Sequence, residues 1–399
     1  MPVGGEDTLR DAMTIVLQEL IELVTSQAIG AARYERSTER TMHRNGSRTR
    51  LLSTKTGNVK LHIPKLREGS FFPALLEPRR RIDRALWAVI MEAYVHGVST
   101  RKVDDLVVAL GIDAGVSESE VSRICKELDD VVGAFRERRL DHVRFPYVFL
   151  DATYVKAHEG AHVVSKAVVI ATGVTAKGDH EVLGLAVGDS EDGAFWTAFL
   201  RSLRARGLDG VRLVISDAHE GLKGAIAKIL LGSSWQRCKV HFLRDVLSRI
   251  PKGSADMVLA AVRTIFAQPD AVSADEQLTE IADKLTPRFP AVAEMLTDAR
   301  TELLAFGAFP VSHWRKIWST NPLERVNKEV KRRTDVVGIF PDEAGVTRLA
   351  GAVLLEIHDE WQVTSRRYLS EGSMALLDHL DDDGKPKEVD GARELLLAS

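Results

Sequence analysis

Three acidic residues in this 399-residue chain lie where carboxylates can do chemistry. Asp151 falls inside the run YVFLDATYVKA, Asp217 ends the short apolar run VRLVISD, and Glu324 sits in STNPLERVNKEVKRRT. Two or three carboxylates gathered together bind hard divalent cations such as Mg2+, which prefer oxygen ligands and keep several waters. Two such ions about 4 Å apart can activate a water or hydroxyl nucleophile and stabilise the leaving oxygen of a phosphodiester. The competing reading is plain: the chain carries 57 Asp and Glu, and any one acid is far more often a solvated surface charge. For Asp151, preceded by YVFL, a buried structural hydrogen bond is a further alternative. Residue type and position leave these readings open.

The elements around the acids narrow them. From Pro146 the apolar pattern has the period of strands: YVFLDATYVKA, HVVSKAVVIATGV and EVLGLAVGD follow one another, with turn signals at His158–Gly160 and Lys177-Gly178-Asp179. A helical segment GAFWTAFLRSLRARG, the strand VRLVISD, a helical HEGLKGAIAKILLG and a strand around WQRCKVHF come next. The order β-β-β-α-β-α-β is that of a ribonuclease-H-like core, a mixed sheet with the first strand central and the fourth parallel beside it. That order brings Asp151 and Asp217 to one edge of the sheet. Residues 247–318 read as an all-helical insertion broken by Pro269, Pro287 and Pro290. A helix then starts at Asn321-Pro322, with proline favourable in its first turn, and a last helix is expected at about 344–360.

Composition bounds the rest. The hydrophobic share of 45% and the charged share of 28% are those of a soluble, multidomain globular protein. No apolar run reaches the roughly 18 residues a membrane span needs, and the start lacks a signal-peptide pattern, so a cytoplasmic protein without membrane contact is expected. Cys125 and Cys238 are too few for a disulfide framework. The net charge of −3 hides an asymmetry: between 31 and 81 thirteen Arg and Lys stand against four Glu, a net of +9, while Asp381, Asp382, Asp383 and Glu388 lie in an acidic tail. Arg44, Arg48 and Arg50 in the basic segment are candidates for phosphate contact. Three short helical patterns between 84 and 128, separated by glycine-containing turns, suggest a helix-turn-helix, the third helix (118–128) presenting Ser122, Arg123 and Lys126 to the major groove. Any small helical bundle reads the same way. The expected division is therefore 1–30, an N-terminal helix and possible dimerisation face; 31–82, a basic β-containing DNA-binding module; 83–142, the helical domain; 143–246, the first part of the core; 247–318, the insertion; 319–362, the second part; and 363–399, the tail.

The motifs FLDATYVK, VISDAHEGLKGAI, WQRCKVHFLRDVL, HWRKIWSTN and STNPLERVNKEVKRRTDVVGIFP resemble those of the mutator-type transposases of bacterial insertion sequences. These belong to the DDE transposase superfamily and are relatives of the eukaryotic Mutator-like elements. The resemblance spans most of the chain and is weakest in the basic N-terminal module and the tail. It implies that Asp151, Asp217 and Glu324 are the catalytic, metal-binding triad, with two Mg2+ (or Mn2+) per site. The partners it implies are double-stranded DNA, as terminal inverted repeats and target, and further copies of the chain in a homodimer or larger assembly. The implied reaction frees 3′-hydroxyls at the element ends and joins them to target DNA by transesterification. Cys238 and His241 match a Cys-x-x-His element of the superfamily; two residues cannot complete a tetrahedral zinc site, so a structural or active-site-edge role is expected. Lys328, Lys331 and Arg332 follow Glu324 on its helix as candidates for DNA contact, the bland alternative being a solvated face. Trp314 is read either as a base-stacking residue or as a core anchor, and Trp196 as core. The rival functions are a ribonuclease-H-like nuclease and a DNA-binding regulator with a degenerate nuclease core.

Overall fold

The computed structural model describes residues 18, 21, 22, 25, 26, 29, 43–54, 57–66, 88–90, 118–364 and 367–379, in two units, Met1–Arg80 and Arg81–Ser399. In the first unit, β1 (Arg44–Thr54) and β2 (Gly57–Leu66) form an antiparallel hairpin whose register shifts between Arg44 and Ser47. Leu61 and Ile63 are buried and His62 between them is exposed, as the alternation predicts. The strand does not stop at Pro64, which pairs with Ser47 beside the register shift; a two-stranded ribbon has open edges, where a residue without an N–H is tolerated. The described residues between 18 and 29 are helical, and the Gln18 amide is bonded to the His62 backbone in both directions, at 2.8 Å each. The remainder of the expected N-terminal helix lies outside the described residues.

The second unit is built on a mixed sheet of order β5-β4-β3-β6-β7. Its strands are β3 (Tyr147–Glu159), β4 (His162–Val174), β5 (His180–Gly188), β6 (Leu213–Ser216) and β7 (Ser234–Arg237). β3 is antiparallel to β4 and parallel to β6, and β6 is parallel to β7. The sheet is covered on both faces, which explains why strands such as β4 read as nearly continuous apolar runs. Tyr147 and Phe149 belong to one apolar cluster, Val148 and Leu150 to another. The second cluster is closed by α2 (Gly193–Ala205), with Trp196 fully buried, and α3 (Glu220–Ile229). The first cluster takes in α1 (Glu118–Glu137), α4 (Lys239–Ser248) and the α-helices between α4 and Glu324: α5 (Ala255–Ile265), α6 (Ala271–Leu285), α7 (Pro290–Asp298), α8 (Arg300–Leu303) and α9 (Val311–Ile317). It is completed by α10 (Asn321–Val337) and α11 (Glu343–Val363).

Several expectations change in detail. The strand expected around WQRCKVHF ends at Arg237, because its partner β6 ends at Ser216, and the chain turns at Cys238 into α4. After α10, Gly338 adopts φ +82° and releases the chain into a two-residue strand β8 (Ile339–Phe340), which pairs with β3 at Lys156 and Ala157. Two residues are too few to show any alternation in a sequence. The helix expected at 118–128 continues to Glu137, packs on α11, and is joined to it by a bidentate Arg348–Asp129 pair at 2.8 Å. Of the two helices expected before it, only residues 88–90 are described; they are helical and buried. The first part of the acidic tail is packed: α12 (Glu371–Ala375) follows Leu369, and Leu369, Met374 and Leu377 join the core. Gly178, at φ +86°, gives Leu369 its close approach, since a side chain there would overlap the Leu369 carbonyl oxygen.

Candidate active site

Asp151 lies near the middle of the central strand, opposite Ile170 of β4. The parallel register pairs Phe149 with Ile215, so continuing it by two residues sets Asp217, just past the end of β6, level with Asp151. A strand followed directly by a loop frees the last side chain from the sheet while its backbone remains anchored. Each acid is first held by its neighbour's backbone: Asp151 Oδ1 accepts from the Ala152 N–H at 3.0 Å, and Asp217 Oδ1 from the Ala218 N–H at 2.7 Å.

Glu324 reaches the same region from α10. Leu323, Val326, Val330, Thr334 and Val337 form the buried stripe of that helix, at helical spacing. Glu324 occupies the first turn, where the helix dipole favours a negative charge. Its Oε1 accepts from Arg244 Nη2 at 3.2 Å. One turn further along, Asn327 Nδ2 donates to Asp151 Oδ2 at 2.8 Å, a direct link between the late helix and the first strand.

Cys238 joins the remaining parts. Its N–H donates to the Ser216 carbonyl at 2.8 Å, beside Asp217. Its sulfur accepts from the Thr320 N–H at 3.4 Å and lies 3.3 Å from the Thr320 hydroxyl. Thr320 precedes α10, and its carbonyl accepts from the Glu324 N–H at 2.9 Å. The fully buried thiol thus stands between the strand of Asp217 and the helix of Glu324.

The electrostatics of Asp151 register both of the other acids. Burial pushes the Asp151 carboxyl up to about 6; His241 and the Ala152 N–H oppose this, and Asp217 and Glu324 add to it. The His241 imidazole is raised to about 9, chiefly by its interaction with Cys238 and then, against burial, by the Cys238, Asp217 and Asp151 charges. Oxygen donors of this kind suit a hard divalent cation, and a buried carboxyl destabilised by neighbouring acids is the electrostatic situation a cation relieves. As arranged, no three His, Cys, Asp or Glu side chains among the described residues converge tightly enough to hold a metal. Glu324 is turned to Arg244, and Asp151 to Asn327.

The other candidates fall in different places. Ser122, Arg123 and Lys126 are exposed on one side of α1, Arg123 paired with Glu127 at 2.7 Å. Lys328, Lys331 and Arg332 are exposed on α10, Arg332 paired with Glu329. Arg44, Arg48 and Arg50 lie on β1. Trp314 corrects the stacking reading: it is only 4% exposed, its indole N–H donates to the Phe309 carbonyl at 2.8 Å, and its ring meets Phe306 edge-on. A ring enclosed this way is a core anchor. Sequence reasoning missed Asn327 and Arg244. Asn327 had a legible signal, its spacing of three from Glu324 on one helix face; Arg244 comes from a separate helix and had none.

Residues 2–364 match the family described as Transposase, Mutator family. The chain is 48% identical over 367 residues to the transposase for insertion sequence element IS1081 of Mycobacterium tuberculosis, covering 92% of this chain and 88% of that protein. It is 38% identical over 367 residues to the transposase for insertion sequence element IS256 in transposon Tn4001 of Staphylococcus aureus, covering 92% and 94% respectively. Among solved structures, the Drosophila P element transposase strand transfer complex aligns with a TM-score of 0.27 and 12% identity over 78% of this chain and 86% of that one, a likeness too slight to carry any argument. The match across nearly the whole length shows that this chain belongs to the Mutator family of insertion-sequence transposases.

Proposed function

We propose that the protein is a DDE transposase with a ribonuclease-H-like core, in which Asp151, Asp217 and Glu324 hold two divalent ions, Mg2+ or Mn2+. The observation that carries the reading is one acid on β3, a second just past the end of the parallel neighbour β6, and a helix that carries a third and is tied to both strands through Asn327 and Cys238. When bound, the ions supply positive charge to the phosphodiester oxygens and lower the pKa of the attacking water or hydroxyl.

The chain's own residues orient and balance charge. Asp151 is fixed on β3 and Asp217 just past the end of β6. Glu324 would hold an ion once released from Arg244, and the Arg244 guanidinium would then be available to a DNA phosphate. The imidazolium of His241 offsets part of the negative charge of the acids. Water attacks the phosphorus at each element end and the P–O3′ bond breaks, the proton passing to the leaving 3′-oxygen; that 3′-hydroxyl then forms a new P–O bond to a target phosphodiester as the target strand's 3′-oxygen leaves with the proton. Lys328, Lys331 and Arg332 grip phosphates beside the scissile bond. Arg44, Arg48 and Arg50 contact DNA in the basic module, and Ser122, Arg123 and Lys126 do so from α1. Two ends held together require more than one copy of the chain.

The test is an end-cleavage and strand-transfer assay with Mg2+. Asp151→Ala, Asp217→Ala and Glu324→Ala should each abolish both steps and leave end binding intact. Cleavage without joining by the unmodified protein would point to a nuclease, and undiminished cleavage by any of the three variants would remove that residue from the site.

A further inference from the structure

A carboxylate only accepts hydrogen bonds, so its orientation is set by the donors around it. Asp151 has one on each oxygen: the Ala152 N–H on Oδ1 and the Asn327 amide on Oδ2. The first is a local backbone contact any residue at 152 except proline would make. The second comes from 176 residues away, on the helix that carries Glu324. Because Asp151 accepts only, the Asn327 amide is fixed with its nitrogen toward the acid and its oxygen away. Among the described residues that oxygen is enclosed and without a hydrogen-bond partner, although buried acceptors are nearly always satisfied. Removing a neighbour of this kind, which orients a metal-binding side chain, typically costs roughly 10–100-fold in metal affinity.

We propose that Asn327 is a positioning residue for the phosphodiester chemistry. It locks the Asp151 carboxylate in the plane from which it binds the divalent ion, and sets the spacing between Asp151 and Glu324 by joining β3 to the first turns of α10. Its free oxygen accepts a hydrogen bond from a water that enters with the ion. This rests on the reading of Asp151 as a metal-binding residue. Helix packing alone does not require an amide at 327, since α10 is seated by Leu323, Val326 and Val330.

The experiment compares Asn327→Ala, Asn327→Asp and Asp151→Asn with the unmodified protein. Three quantities are read: affinity for element-end DNA in EDTA, calorimetric binding of Mn2+ to the protein–end DNA complex, and the single-turnover cleavage rate as Mn2+ is raised. For Asn327→Ala the expected result is unchanged end affinity, Mn2+ binding weakened about tenfold or more, and a rate that partly recovers at high Mn2+. Asn327→Asp keeps the volume but places an acceptor against an acceptor, and is expected to lose the rate at low Mn2+ as well, which covers the case of an alanine variant that fails to fold. Unchanged Mn2+ binding and rate in the folded variants would overturn the proposal, as would a loss of end binding that accounts for the whole defect. If Asp151→Asn also leaves Mn2+ binding intact, the metal-site reading itself fails; if only Asp151→Asn has an effect, the fault lies with the role given to Asn327.

Discussion

Neutralising the central acid should make the metal-free protein more stable while destroying its chemistry. Asp151 titrates at about 6 in the folded chain against an ordinary 3.8, with burial the largest cause. Below about 4 the carboxyl is protonated whether the chain is folded or not, so it exacts no penalty. Between about 4 and 6 the unfolded chain releases its proton and the folded chain keeps it, so stability falls as pH rises through this window. Above it the charged, buried carboxylate costs the fold about 3 kcal/mol, from roughly two pH units at ~1.4 kcal/mol each. Asp151→Asn removes the charge and keeps an oxygen for the Ala152 N–H, while its amide nitrogen faces Asn327, whose own amide can turn to present its oxygen. The assay is urea unfolding in EDTA at pH 8 and pH 4. The variant should gain up to about 3 kcal/mol at pH 8 and little at pH 4, and added Mn2+ should stabilise the unmodified protein more than the variant. A variant no more stable at pH 8, or equally stabilised at both pH values, would refute the assignment of the strain to the Asp151 charge.

Three further outcomes follow from particular contacts. Trp314→Ala empties a core site and should cost ~3–5 kcal/mol in denaturant unfolding, while the folded fraction binds end DNA with unchanged affinity. Lys331→Ala should unfold normally, yet weaken end binding across sequences and lower the salt-dependence slope of log K by about one; an unchanged slope would remove it from the phosphate contacts. Arg348→Met breaks the fork to Asp129, but Asp129 is 45% exposed and can rehydrate. The unfolding free energy should therefore drop by about 2 kcal/mol, less than the ~3–5 of a fully buried pair.

Much of the second unit was legible because its signals are periodic. Strand alternation, the turn at Lys177-Gly178-Asp179 and the capped helices gave the element order, and the order alone put the first and fourth strands side by side. The position of Glu324 rested on the motif around it, since nothing in spacing shows that a helix beyond six intervening α-helices returns to the sheet. The links between the elements that carry the three acids were not legible: Asn327 to Asp151, Arg244 to Glu324 and Cys238 to Thr320 each join residues more than 75 positions apart. Trp314 was ambiguous for a different reason. An aromatic flanked by His313 and Arg315 reads as polar surface, yet His313 is also buried, 2.6 Å from the Tyr147 hydroxyl.

The central claim is that three distant acids form one two-metal site. Anomalous diffraction from crystals of the protein bound to its element-end DNA with Mn2+ tests it most directly. The account predicts two Mn2+ peaks about 4 Å apart, contacted by Asp151, Asp217 and Glu324, with Arg244 withdrawn from Glu324. Peaks that leave any of the three acids without a metal contact, or that lie elsewhere on the protein, would contradict it.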